Sequence, residues 1–235
     1  MLHVFEDRAD AGRQLAERLA TYAGQPGVLV LGLPRGGVPV AVEVAAVLGA
    51  PLDVFVARKL GVPGHEELAM GAVASGGVVV TNDEIVQAFA VSGAQLARVK
   101  AESEREVRRR EQKYRGDRPP LDLHGTTVIL VDDGIATGST LRAAVSALRV
   151  QGAKRVVVAA PVAALDSLVR LERVADEVVV LEMPARFYAV GAWYREFPQL
   201  SDDEVRALLE GAAQRLPEGS RAARSRAAAS SRAGG

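Results

Sequence analysis

The chain has 235 residues, 49% hydrophobic and 25% charged, which is ample apolar material for a sizeable core and unlike a disordered chain. Its 29 basic and 29 acidic side chains cancel, so the overall charge points to neither a nucleic-acid nor a membrane partner. It has no cysteine, which excludes disulfides and thiolate chemistry.

The first residues carry Glu6, Asp7 and Asp10 and lack the apolar stretch of a signal segment. Uncharged apolar runs such as Val156–Leu165 fall well short of the ~20 residues of a membrane span. A soluble, cytoplasmic protein is the expectation.

Ala11, Leu15, Leu19 and Tyr22 recur at helical spacing, which predicts a helix over Arg8–Tyr22 that ends at Gly24–Gly27. Val28–Leu33 reads as a buried strand and Val38–Leu48 as a helix. Pro34-Arg35-Gly36-Gly37 joins them, and a cation with two glycines at a strand end suits an anion site. A plain glycine-rich turn with a solvated Arg35 explains that loop equally well.

Leu52–Ala57 is the next predicted strand, followed directly by Arg58 and Lys59. Two cations after a buried strand suggest an anion beyond it. Pro63, Gly64 and Gly71 around His65, Glu66 and Glu67 predict a mobile lid with few buried contacts. The alternative is a surface hairpin with snorkelling cations. Val78–Thr81 is a short strand, with Asn82 or Asp83 as a helix cap. Glu84–Arg118 reads as one long helical stretch. Acids interrupt its basic residues from Arg98 onward, which favours a solvated hood element over a nucleic-acid arm.

Thr127–Thr140 carries the most information. Val128–Val131 is a β-branched and aliphatic run, the mark of a strand buried on both faces of a parallel sheet. It stops at Asp132 and Asp133. A turn with Gly134, Ala136, Thr137, Gly138, Ser139 and Thr140 follows, and then an amphipathic helix over Leu141–Val150. Free peptide N–H groups at a helix start, together with three hydroxyls, make a socket for a phosphate. The two carboxylates would repel phosphate but accept hydrogen bonds from vicinal sugar hydroxyls. Helix capping alone explains one acid and one hydroxyl of this set.

Beyond the turn, Arg155–Ala160 and Glu177–Leu181 read as strands around a helix over Leu165–Val174. This alternation predicts a parallel sheet with right-handed crossovers. Met183–Leu200 gathers Pro184, Phe187, Tyr188, Trp193, Tyr194 and Phe197, although aromatics are 4% of the chain. Such rings stack on a flat base, close the end of a core or make a dimer contact. A last helix over Ser201–Leu216 starts with Ser201 and Glu204 at capping-box spacing. Apart from Pro217 and Glu218, residues 217–235 are Ala, Arg, Ser and Gly without hydrophobic period, which predicts a disordered basic tail.

Over the thirteen positions Val128–Thr140 the chain resembles the signature of the type I phosphoribosyltransferases: a hydrophobic strand, two acids and a Thr-Gly-x-Thr turn. The resemblance implies an α/β fold over residues 1–216, a twisted and mostly parallel sheet with helices on both faces. A small hood would come from about 83–118 and 183–200. It implies that the pyrophosphate of phosphoribosyl pyrophosphate (PRPP) is exchanged for a small nitrogenous base. Mg²⁺ would bridge the leaving group, held mainly through PRPP rather than by protein ligands. Asp132 and Asp133 would hold the ribose, and Gly134, Ala136, Thr137, Gly138, Ser139 and Thr140 the 5-phosphate. Arg35, Gly36, Gly37, Arg58 and Lys59 would meet the pyrophosphate. Arg58, Lys59, Glu66 and Asp133 would carry catalysis.

Arg58-Lys59 and its loop resemble the adenine-type enzymes. The Pro184, Phe187, Val190 and Gly191 pattern resembles the hypoxanthine-type hood, with Phe187 and Val190 at the base. Ala136 stands where hypoxanthine-type enzymes have an Asp, so the base reads as a purine or related heterocycle and no further. A PRPP- or nucleotide-sensing regulator on the same fold is the alternative function. A Rossmann enzyme is disfavoured because no Gly-x-Gly-x-x-Gly follows Val28–Leu33. Neither a nucleic-acid nor a membrane partner is expected, and a homodimer stays open.

Overall fold

The structure, a computed structural model, describes residues 5–215. The predicted tail over 217–235 lies outside the described residues. In chain order the elements are α1 (Arg8–Arg18), β1 (Val28–Gly32), α2 (Gly37–Leu48), β2 (Leu52–Val54), β3 (Ala57–Val62), β4 (His65–Ala74), β5 (Val78–Thr81), α3 (Asp83–Ala88) and α4 (Gly93–Arg115). They continue with β6 (Thr127–Val131), α5 (Ser139–Val150), β7 (Arg155–Val162), α6 (Leu165–Leu171), β8 (Glu177–Glu182) and α7 (Asp202–Arg215).

The apolar strands form one parallel sheet in the order β2-β1-β6-β7-β8. Side chains alternate across a strand, and the two cores follow that alternation. Val30, Ile129, Val131, Val157 and Ala159 pack with α1, α2 and α7. Leu31, Val128, Leu130, Val156 and Val158 pack with α5 and α6 on the opposite face. Val128, Ile129, Leu130 and Val131 are all 0% exposed. At roughly 1.5–3 kcal/mol per fully buried side chain, this packing fixes where β6 ends.

From β1 the chain crosses to β2 on one side, whereas from β6 it runs to β7 and β8 on the other. The sheet therefore has its topological switch point between β1 and β6. Crevices at such points, outside the carboxyl ends of the strands, receive ligands in open α/β sheets.

Three predicted elements differ. The expected strand over Leu52–Ala57 is divided: β2 ends at Val54, and Ala57 begins β3 in a second, antiparallel sheet ordered β3-β4-β5. The expected mobile lid is therefore an ordered hairpin with Pro63-Gly64 at its turn. Leu60, Val62 and Met70 are buried in the main core, at 0%, 2% and 0% exposure. Its glycines and proline read as loop residues, yet Gly61 lies at β-bulges in the ladder. Thirdly, the long helix over Glu84–Arg118 is broken. Ala90 takes a left-handed φ of 48° and Ser92 restarts the helix with a capping box to Gln95. Among the described residues no helix is long and apolar enough to cross a membrane.

Candidate active site

Two βα turns meet at the switch point. Residues 34–37 follow β1, and the Pro34–Arg35 peptide is cis. Residues 132–138 follow β6. The contact between these turns is backbone against carboxylate: a Cβ at Gly36 would collide with the side chain of Asp133, and one at Gly37 would lie 2.5 Å from the Val131 carbonyl oxygen. Glycine is thus required for close approach, and the pyrophosphate and ribose loops expected from the sequence form one wall.

The acid pair is unequally held. Asp133 receives Arg8 Nε at 2.9 Å, and its carbonyl accepts from the Tyr194 hydroxyl at 2.5 Å. Arg8 also donates from Nη1 to the Pro198 carbonyl at 2.9 Å and lies over the Phe197 ring at 3.7 Å. Asp132 has a lighter grip: its Oδ1 accepts the Asp133 peptide N–H at 2.9 Å. Burial raises the Asp132 carboxyl well above the usual carboxylate range, and the Asp133 charge adds to this. Burial raises Asp133 too, while Arg8 pulls it back. The two groups retain part of their surface in solvent, so they are walled in but still open to a ligand. The Tyr194 hydroxyl is pushed upward by burial first and by Asp133 second, so it remains a neutral donor.

The turn beyond the acids is anchored from the opposite side. Ile135 exchanges backbone hydrogen bonds with the end of β7, from its N–H to the Val162 carbonyl and from Ala164 N–H to its own carbonyl. Ser167 Oγ on α6 donates to the Ala136 carbonyl at 2.6 Å. Gly138 takes the left-handed φ of 66° that turns the chain into α5. This helix begins without a side-chain cap. Its first-turn N–H groups and positive dipole end therefore face the turn, beside Thr137 and Ser139 hydroxyls 3.0 Å apart. Ala136, Thr137 and Thr140 are exposed. Val190 sits on Gly134, where a Cβ would come within 2.5 Å of its Cγ1. Phe187 packs with Val190 against Phe5, Trp193 and Tyr194. The aromatic cluster thus closes one end of the core and borders the turn.

The hairpin cations are placed differently. Successive strand residues point to opposite faces, so Arg58 and Lys59 leave β3 on opposite sides. Lys59 pairs with Glu67 at 2.9 Å, and Glu66 is exposed at the hairpin turn. Among the described residues no hydrogen bond or ion pair joins Arg58, Lys59 or Glu66 to the acid pair. Arg35 is exposed and lies close enough to Asp202 to help lower its carboxyl, after the hydrogen bonds from Tyr114 and Lys113.

Arg8 supplies the acid pair with a structural partner from 125 residues away. Nothing in the opening helix marked Arg8, apart from its being a cation at the start of a helix where acids are favoured. Among the described residues no group of three or more His, Cys, Asp and Glu could hold a metal.

These features define a class: an open parallel α/β sheet with a paired-acid, uncapped-helix site at its switch point. Residues 4–191 match the family described as phosphoribosyl transferase domain. A Mycobacterium tuberculosis protein, in strains CDC 1551 and H37Rv, is 51% identical over 211 residues, covering 90% of this chain and 47% of its own length. It is provisionally named a phosphoribosyl transferase. The chain thus spans about half the length of these curated relatives. The crystal structure of TT1426 from Thermus thermophilus is 45% identical with a TM-score of 0.81, over 88% of this chain and 97% of that one. The chain belongs to the phosphoribosyl transferase domain family.

Proposed function

We propose that the protein is an enzyme that exchanges the pyrophosphate of PRPP for a nitrogenous base, a purine or related heterocycle, with Mg²⁺. The observation that carries this reading is the meeting, at one switch point, of the Asp132–Asp133 pair with the uncapped start of α5. Carboxylates a few residues from an anion socket fit vicinal hydroxyls and a phosphate on one sugar.

In the reaction the C1–O bond to pyrophosphate breaks, the C1–N bond to the base forms, and the base releases a proton. Asp132 and Asp133 accept hydrogen bonds from the ribose hydroxyls. Their negative charge also favours the cationic, oxocarbenium-like sugar of the transition state. The 5-phosphate lies on the first-turn N–H groups of α5 with Thr137, Ser139 and Thr140. Arg35 and the Gly36 N–H receive the pyrophosphate beside Gly37, whose own N–H donates to the Leu33 carbonyl, joined by whichever of Arg58 and Lys59 faces it. Glu66 takes the proton, and Phe187 and Val190 border the base. Mg²⁺ would be held mainly through PRPP, with the Asp132 and Asp133 carboxylates the nearest acidic groups, and it would supply positive charge to the leaving pyrophosphate.

The test is a panel of purine, pyrimidine and nicotinate-type bases incubated with PRPP and Mg²⁺, following pyrophosphate release. Release with one base and not without it is expected. Tight PRPP binding with no release from any base would make the protein a sensor instead.

A further inference from the structure

A second charged cavity lies away from the acid pair, against the carboxyl-terminal half of α4. Its volume is about 550 Å³, and Arg105, Arg108, Arg109, Arg115, Arg118 and Glu111 line it, with Gly76 and Pro120 among its other walls. None of these residues has a role in the reaction assigned to the Asp132 site.

Ion pairing around the cavity is incomplete. Asp53, 5% exposed at its side chain, serves two guanidinium groups: Arg115 Nε at 3.2 Å and Arg118 Nη1 at 3.9 Å. The second contact is too long for a hydrogen bond, and Arg118 Nη1 is buried without an acceptor among the described residues. Glu106 likewise serves two, Arg109 at 2.9 Å and Arg110 at 2.6 Å, and these hold its carboxyl down at about 2. Arg108 reaches Glu104 only at 3.8 Å. Arg105 has no ion pair among the described residues. Counting the lining residues with their carboxylate partners, five arginines meet four carboxylates, and Glu106 is shared with Arg110 outside the cavity.

A buried guanidinium N–H without an acceptor is unfavourable, the more so because the group is charged. Arginine forks match phosphate oxygens two at a time. The cavity has the size of a nucleotide-scale site and would leave a single phosphate loosely held. The basic residues converge on a concavity, and acids interleave with them along α4, so there is no acid-free track for a nucleic-acid backbone. We propose that this cavity binds a small anion with three or more linked phosphates, a nucleoside triphosphate or a free phosphate chain. Gly76 places such a ligand against the turn that closes β4, whose Ala74 pairs with Ala57 beside Arg58.

The test is calorimetric titration of the full chain with tripolyphosphate and, separately, ATP. Wild type is compared with Arg105→Ala/Arg109→Ala and with Arg118→Gln. The first variant removes exposed side chains and keeps the test valid should the second fail to fold. Each variant should bind tripolyphosphate at least about tenfold more weakly, as expected for one lost charged hydrogen bond, while PRPP binding is unchanged. ATP binding that is tighter than tripolyphosphate and lost in the same variants assigns a nucleotide. Tripolyphosphate binding alone assigns the free chain. Isotherms that the variants leave unchanged overturn the proposal. So does loss of a dimer in the first variant without any tripolyphosphate binding in wild type, which makes the face a contact between copies. Binding of a single-stranded RNA that tripolyphosphate does not displace also overturns it, in favour of nucleic acid.

Discussion

The turn after β6 and the β3–β4 hairpin both present charged residues at the edge of the sheet, but they are held by different means. Asp132–Thr140 is clamped from three sides, by Arg8 of α1, Tyr194 of the aromatic cluster and Ser167 of α6. The outer hairpin, residues 64–67, is exposed, and its one ion pair among the described residues joins Lys59 to a Glu67 side chain that is 92% exposed. Polar groups that must bind a ligand at a fixed spacing profit from the first arrangement, because no ordering entropy is left to be supplied on binding. Groups needed only while charge develops can sit on the second, where few contacts hold the exposed tip.

The contrast breaks most visibly at the acids. Asp132→Asn with Asp133→Asn should weaken PRPP binding by roughly 10²–10⁴-fold, from two lost charged hydrogen bonds at ~1.5–3 kcal/mol each, with the fold intact by circular dichroism. Unchanged affinity in calorimetry would remove the acids from the site. Arg8→Gln tests whether the clamp, and not the acid alone, makes the turn rigid. Losing one partner of a largely buried pair is destabilising by about 3–5 kcal/mol. Adding Asp133→Asn should restore part of that loss in urea unfolding, since the second change removes the stranded charge. Additive losses would show that the pair is not coupled.

On the hairpin the same logic runs in reverse. Lys59→Ala should lower turnover by about 10²–10³-fold if Lys59 stabilises the departing pyrophosphate, with a much smaller change in PRPP affinity. Its effect on stability should stay within about 1 kcal/mol, because the ion pair it breaks is largely solvated. An equal fall in affinity and rate would mean uniform binding instead.

The smallest effect is on pH dependence. The folded state raises the Asp132 carboxyl, so it binds that proton more tightly than the unfolded chain does. Ionising the group therefore opposes folding, and stability declines as pH rises from the ordinary Asp range, near about 3.9, through the raised value. Asp132→Asn removes this term. The variant should melt above wild type at pH 7–8, with the difference fading toward about pH 3, where both chains carry an uncharged side chain. Equal melting temperatures at pH 7–8 would mean that burial does not penalise this charge.

The local features were readable in the amino-acid order because they depend on neighbours in sequence. Val128–Val131 announces a doubly buried strand, Gly134–Thr140 a turn into a helix, and Ser201 with Glu204 a capping box that forms as expected. Pro63, Gly64 and Gly71 misled, since the burial of Leu60, Val62 and Met70 beneath them is a tertiary event that overrides turn chemistry. Sequence alone also paired Asp132 with Asp133 as equals. Only the folded chain separates them, because Arg8 and Tyr194 reach Asp133 from segments more than sixty residues away on either side, and Asp132 keeps a single peptide N–H. Electrostatic partners chosen across such distances follow from which surfaces pack together, and no spacing in the sequence encodes that choice.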